Sequence, residues 1–167
     1  PTAVDIASGA PKSGTNPGTY PSFQYKTDAD YLYVRMRLVG DPVAPGGSAP
    51  RYINYHWDVL VDKDNNGVSD FVIDVFGNGT KTWNGSTYQN GTIGIYPNDP
   101  GAQTYDDDVP LWVAEASDAS NDYTRTQTIV YGGVANQYWI EFAAPISYMS
   151  GFNPATFKLF GSTSSSN

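Results

Sequence analysis

The chain has 167 residues, enough for one domain around a single core, and its 40% hydrophobic and 14% aromatic content excludes a disordered protein. A formal net charge of −8 argues against nucleic acid and against an anionic membrane surface as partners, since both call for Lys and Arg. No apolar run approaches the ~18 residues of a membrane-spanning helix, and with no cysteine there are no disulfides.

Charged residues make up 16% of the chain, below the about 25% usual in soluble domains. Fifteen of the 17 acidic residues are Asp, and only Glu115 and Glu141 are Glu. Asp favours turns and metal sites, whereas Glu favours helices, so the bias points to an all-β protein. Low Lys with high Tyr, Thr, Ser and Asn suits an extracellular or cell-surface location.

Residues 1–19 are rich in Pro, Gly, Ser and Thr. They lack a basic region followed by an apolar one, and Pro1 is compatible with the end left by leader removal. Within them Val4 and Ile6 alternate with Ala3, Asp5 and Ala7, a strand-like segment with no partner in sight. Residues 31–39 alternate strongly: Leu32, Val34, Met36 and Leu38 share one face, and Tyr33, Arg35 and Arg37 the other. Residues 40–50, with three prolines and three glycines, form a loop.

Strands over 52–61 and 71–76 flank an acidic loop. Trp57, Val59 and Val61 share a face, as do Phe71, Ile73 and Val75, so an antiparallel pair with these side chains in the core is expected. Further strands are read over 111–116, 124–131, 137–143 and 156–160, and the best short helical segment is 146–151. The pattern predicts a two-sheet antiparallel β-sandwich, jelly-roll-like, of roughly nine or ten strands. The expected organisation is an extended segment over 1–19, the sandwich over 20–161 and a polar tail over 162–167.

The loop over residues 62–70 reads Asp-Lys-Asp-Asn-Asn-Gly-Val-Ser-Asp. Asp62, Asp64, Asn66, Gly67 and Asp70 match positions 1, 3, 5, 6 and 9 of the calcium-loop pattern, with the Val68 carbonyl at position 7. Alternate positions let side-chain oxygens fold inward around a hard cation, and Gly67 permits the turn. Ile73 stands where an EF-hand has its bidentate Glu, and both flanks read as strands. The expected cofactor is therefore Ca2+ in a β-hairpin; the competing reading is a solvated turn.

Asp58 and Asp74 lie four residues outside Asp62 and Asp70, and a regular hairpin sets them face to face. Like charges so placed repel, which marks a candidate second cation site. Asp106, Asp107 and Asp108 form a weaker candidate, read equally well as a solvated loop. Asn78, Asn84 and Asn90 each begin an Asn-Gly-Thr/Ser triplet, a candidate glycosylation acceptor and equally a type I′ turn. His56, the sole histidine, has neither Cys nor a second His and reads as structural. Glu115 and Glu141 raise the question of a glycosidase pair, but neither lies in a recognisable catalytic motif, so no enzyme is expected. Trp83 and Tyr88 are candidate aromatic surfaces for sugar stacking.

Residues 28–38, Asp-Ala-Asp-Tyr-Leu-Tyr-Val-Arg-Met-Arg-Leu, resemble the "D-x-LYVRV" strand of family 9 carbohydrate-binding modules and DOMON-like domains. Residues 138–147, Tyr-Trp-Ile-Glu-Phe-Ala-Ala-Pro-Ile-Ser, are similar to their "Y-x-x-E-x-x-x-P" strand and turn. The resemblance implies a secreted jelly-roll sandwich and transfers no sugar-binding residue. With the calcium hairpin added, the chain resembles prokaryotic surface or filament proteins such as the archaeal tubes called cannulae. The favoured function is a calcium-dependent structural subunit of an extracellular filament, tube or surface layer. Its partners are copies of itself, joined when Val4 and Ile6 add as a donor strand to a neighbour. The alternative is a carbohydrate-binding module whose partner is a polysaccharide.

Overall fold

The structure, a computed structural model, describes residues 23–38, 42, 55–77, 81–88, 91–98, 109–116, 123–131 and 134–165. Among the described residues eleven strands run in chain order: β1 (Phe23–Thr27), β2 (Tyr31–Leu38), β3 (Tyr55–Asp62), β4 (Phe71–Phe76), β5 (Lys81–Trp83), β6 (Ser86–Tyr88), β7 (Thr92–Pro97), β8 (Trp112–Glu115), β9 (Thr124–Tyr131), β10 (Val134–Pro145) and β11 (Lys158–Ser165). Helical structure among the described residues is one 3-10 turn at Ile146–Tyr148, inside the segment read as helical.

Two antiparallel sheets carry the fold, in the orders β1-β2-β10-β9 and β11-β3-β4-β7-β8; β5 and β6 form a separate hairpin. The chain passes from the first sheet to the second between β2 and β3, returns between β8 and β9, and crosses to the second again between β10 and β11. The strands that precede the two forward crossings, β2 and β10, pair with each other, and so do the strands that follow them, β3 and β11. That is the jelly-roll way of wrapping a sandwich.

The core forms where the alternating apolar faces of both sheets meet. Leu32, Val34 and Met36 of β2 and Ile140, Phe142 and Ala144 of β10 pack with Trp57, Val59, Val61, Phe71, Ile73, Val75, Ile93 and Ile95 in one cluster. A single row crosses the second sheet on this face: Gly161, Val59, Ile73, Ile95 and Trp112 lie opposite one another in register. The face turned away from this core is buried too, with Val72, Asp74, Thr92 and Tyr96 all at 1% exposure or less. A strand buried on both faces loses strict alternation, which is why β4 reads Phe-Val-Ile-Asp-Val-Phe.

Besides β5, β6 and β7, which fall where the alternation marks no strand, two features depart from the sequence reading. The first is β1, a strand the alternation did not mark, paired with β2 from Phe23↔Met36 to Thr27↔Leu32. The second is the polar tail, which up to Ser165 is part of β11 and pairs with β3 through Ser165↔Tyr55. A Gly-Ser-Thr segment has weak strand propensity, but β3 offers a full row of hydrogen-bonding groups and burial beneath. Gly161 helps: a Cβ there would lie 2.8 Å from the Phe23 ring, so only glycine lets β1 of the opposite sheet pack down on β11.

The β1–β2 turn is held by Asp28, whose Oδ1 accepts the Asp30 and Tyr31 N–H groups at 2.9 and 2.8 Å. Its Oδ2 accepts the Tyr33 hydroxyl at 2.6 Å. The Tyr33 hydrogen bond, with the two backbone donors, holds the Asp28 carboxyl below its ordinary value. The same bond pushes Tyr33 up from 10.0 to about 12. A raised folded-state value means that this contribution to stability is complete below the unfolded tyrosine value and is lost as pH rises through about 12. The difference in tyrosinate absorbance between wild type and Tyr33→Phe should therefore show one phenol titrating near 12. An ordinary midpoint would overturn the assignment.

Candidate metal centre

The loop over residues 62–70 joins β3 to β4, whose register runs from Val61↔Phe71 to His56↔Phe76. The Asp70 N–H donates to the Val61 carbonyl at 2.8 Å and closes the hairpin. Asn98, just after β7, braces it from the side: its N–H donates to the Asp70 carbonyl at 2.8 Å and its side-chain amide to the Ser69 carbonyl at 2.9 Å. From the other side the Asn153 N–H reaches the Lys63 carbonyl at 3.3 Å. The loop is mounted on the sheet rather than hanging from it.

Inside the loop, Asp62 Oδ1 accepts the Asn66 N–H at 3.1 Å and Oδ2 the Gly67 N–H at 2.9 Å. Asn66 Oδ1 accepts the Val68 N–H at 2.8 Å. Left-handed backbone at Asn65 (φ 63°) and Gly67 (φ 89°) lets the chain curl this tightly. Burial pushes the Asp62 carboxyl up, but the backbone donors from Gly67, Asn66, Asn65 and Asp64 together outweigh it and hold the group below its ordinary value. Asp62 is therefore poised as an anion although its side chain is fully enclosed.

Carboxylate oxygens of Asp62, Asp64 and Asp70 lie within 4.8 Å of one another. Lys63 Nζ contacts Asp70 Oδ1 at 3.1 Å, so three carboxylates and one ammonium leave two negative charges, the complement of a divalent cation. Each carbonyl or carboxylate oxygen has two lone pairs, so the internal hydrogen bonds leave acceptor capacity for a metal. Asn66 Oδ1 and the Val68 carbonyl, the further donors that the spacing marks, would bring the loop to five oxygens, and water could complete the six to eight that Ca2+ takes. All-oxygen donors with flexible spacing suit Ca2+ and fit no soft metal.

A second cluster lies on the outward face of the same two strands. Asp58 and Asp74 are directly opposed in register, as the symmetric spacing implied. Missing from the sequence reading was their neighbour: His56 Nδ1 lies 3.0 Å from Asp74 Oδ1, and His56, Asp58 and Asp74 each offer a donor atom within 4.8 Å of the other two. The signal was present in the alternation, since His56 and Asp58 are two apart on one strand and so share a face. All three are buried, at 8%, 4% and 1% exposure. The His56 ring stacks on Phe76, centroids 4.2 Å apart with 8° between planes.

The remaining candidates part company. Glu141 faces Arg35 across β10 and β2, with 3.6 Å between Nη1 and Oε1, on the outward side of the first sheet. Arg35 also donates through Nε to Gln24 and lies 4.6 Å over the Trp139 ring. Glu115 is on β8 with Trp112 and Ala114 turned to the core, so it points outward from the second sheet. The two glutamates thus occupy opposite outer faces of the sandwich and cannot flank one glycosidic bond. Trp83 packs against the core and meets Tyr148 edge-on at 78°, which is not a flat platform; Tyr88 is half-buried. Asn84 and Gly85, with φ of 49° and 79°, form the two-residue I′ turn between Trp83 and Ser86, exposed at the tip of the β5–β6 hairpin. Val4, Ile6, Asn78, Asn90, Asp106, Asp107 and Asp108 lie outside the described residues.

Comparison of the chain with family models, curated proteins and solved structures finds no match. The chemistry of the hairpin is what speaks to function.

Proposed function

We propose that this chain is a calcium-dependent structural subunit of an extracellular filament, tube or surface layer. The observation that carries the reading is the β3–β4 loop, where three carboxylates and one lysine leave a double negative charge at the end of a braced hairpin. Such a site would hold a metal as a structural tie, and the two strand glutamates lie on opposite outer faces of the sandwich.

Strand addition supplies the contact between subunits. Among the described residues, β1 and β9 end one sheet and β8 and β11 the other. β11 carries Phe160 at 55% exposure, an apolar side chain on an edge. An extended segment such as residues 2–7 can pair with an edge of this kind and set Val4 and Ile6 against the neighbour. Each subunit then donates and accepts through different surfaces, which propagates a polymer rather than closing a dimer. Calcium acts by holding the hairpin, and with it the ends of β3 and β4, in one geometry.

Negative-stain microscopy of purified protein tests this. Filaments, tubes or lattices are expected with calcium, dispersing in EDTA, and lost when residues 1–9 are removed. Polymers that persist undiminished after that truncation would rule out the donor strand, and particles that stay monomeric in calcium would overturn the structural reading.

A further inference from the structure

We propose that His56, Asp58 and Asp74 form a second metal site, buried in the outward face of the β3–β4 pair and built for a divalent transition ion such as Zn2+. The proposal concerns different residues and a different donor set from the calcium loop, and it holds whether or not the protein polymerises.

Strand register creates the site. Asp58 opposes Asp74 directly, and His56 sits two residues before Asp58 on the same face. The three donor atoms fall within 4.8 Å of one another, with His56 Nδ1 and Asp74 Oδ1 at 3.0 Å. Adjacent ligands around a tetrahedral ion with bonds of about 2.1 Å stand roughly 3.4 Å apart, so this hydrogen-bond separation needs to open by only a few tenths of an ångström to admit the ion. Two carboxylates set opposite each other in a ladder repel, and burial sharpens the repulsion. A cation between them turns that cost into attraction.

A hydrogen-bonded His–Asp pair alone does not account for the cluster. His56 Nδ1 engages Asp74 through Oδ1, but Asp74 Oδ2 has no hydrogen-bond partner although the residue is only 1% exposed. Buried carboxylate oxygens are almost always satisfied. On the next rung of β7 the Thr92 hydroxyl, also at 1% exposure, has no partner either. The neighbouring strand is shaped around the same spot. Gly94 lies directly across from Asp74, and Tyr96 folds over it so closely that a Cβ on Gly94 would stand 2.6 Å from the ring and 2.8 Å from the hydroxyl. Glycine there lets the phenol ring lie over the β7 position paired with Asp74. Phe76 closes the other side by stacking on the imidazole.

The donor set separates this site from the loop. An imidazole nitrogen with two carboxylates suits Zn2+ and its neighbours, which accept three protein ligands plus one more group. Ca2+ requires six or more oxygens, whereas this cluster offers one imidazole nitrogen and two carboxylates. The bound ion would tie β3 to β4 at mid-strand, whereas calcium ties them at the loop.

Because the chain has one histidine, the imidazole nitrogen resonances report on the site without any mutation. Full-length protein stripped with chelator is titrated with Zn2+ in the presence of excess Ca2+, and with Co2+ as a coloured substitute. The expected result is one Zn2+ per chain, a large shift of one His56 ring nitrogen, and visible Co2+ bands of a nitrogen-and-oxygen site. Ca2+ alone should leave the ring resonances in place. Asp64→Asn should keep the Zn2+ site while weakening Ca2+ binding, and Asp74→Asn should weaken Zn2+ by about 100-fold or more, as loss of a direct ligand exceeds the usual 10–100-fold effect of an outer one. Unmoved imidazole resonances at saturating Zn2+ would overturn the site, as would Zn2+ binding that a folded Asp74→Asn variant retains in full.

Discussion

Calcium added to chelator-stripped protein is expected to raise its melting temperature by roughly 5–10 °C. A ligand held only by the native state stabilises it by about 2.7 kcal/mol when present at 100 times its Kd, and about 1 kcal/mol moves a domain of this size by about 2–4 °C. The ion enters a loop already shaped for it, since the Asn66 and Gly67 N–H groups have fixed Asp62 and the Lys63 N–H donates to Asp70 Oδ2 at 3.0 Å. Little ordering is left to oppose binding.

Two variants divide the loop's roles. Asp64→Asn, at an exposed position, should abolish most of the calcium increment while changing the metal-free protein by about 0.5 kcal/mol or less. Asp62→Ala should abolish the increment and also lower the metal-free melting point, because two backbone donors lose their acceptor. Acid should act in the same direction. The Asp62 value is lowered on folding, so its contribution is complete above the ordinary carboxylate value of 3.8 and is lost as pH falls through the lower folded value. Protonation also removes the ligand, so the calcium increment should vanish over the same acid window. Differential scanning fluorimetry with calcium and with EDTA measures all of this, and superimposable curves would remove calcium from the account.

The largest loss of stability should come from Ile73→Ala. Ile73 is fully buried at the middle of β4, between Val59 of β3 and Ile95 of β7 in the row that crosses the second sheet. Truncating a fully buried Ile costs about 2–5 kcal/mol, part from lost transfer energy and part from the cavity left behind. Set against a total stability of about 5–15 kcal/mol, that is a fall in melting temperature of roughly 4–20 °C. Val68→Ala, at 51% exposure in the loop, is the matched control and should stay within about 0.5 kcal/mol of wild type. A chemical-denaturation midpoint for Ile73→Ala as close to wild type as the control would mean that the two sheets do not share the core described above.

Local features were legible where chemistry repeats at short range. Leu32, Val34 and Met36 alternate with Tyr33, Arg35 and Arg37, so the buried face of β2 could be read directly. The spacing of Asp62, Asp64, Asn66, Gly67 and Asp70 announced a cation loop, and the symmetric positions of Asp58 and Asp74 placed them opposite each other. β1 escaped notice because Phe23–Thr27 is short and carries Gln and Lys, and its place comes from pairing with β2. β11 escaped because Gly161–Ser165 lacks strand-forming side chains and is held by β3 and by the Phe23 contact at Gly161.

The amino-acid order alone determined an all-β chain, a hairpin over 55–76, the inward faces of its strands and the oxygen-rich loop at its tip. These follow from period-two alternation and from ligand spacing, which act over a few residues. Only the tertiary structure decided that both faces of β4 are buried, that Glu115 and Glu141 lie on opposite sides of the sandwich, and that His56 joins Asp58 and Asp74 in one buried cluster. Alternation says which side chains share a face, but not which sheet a strand enters or what packs over it, because those choices are made by partners distant in the chain.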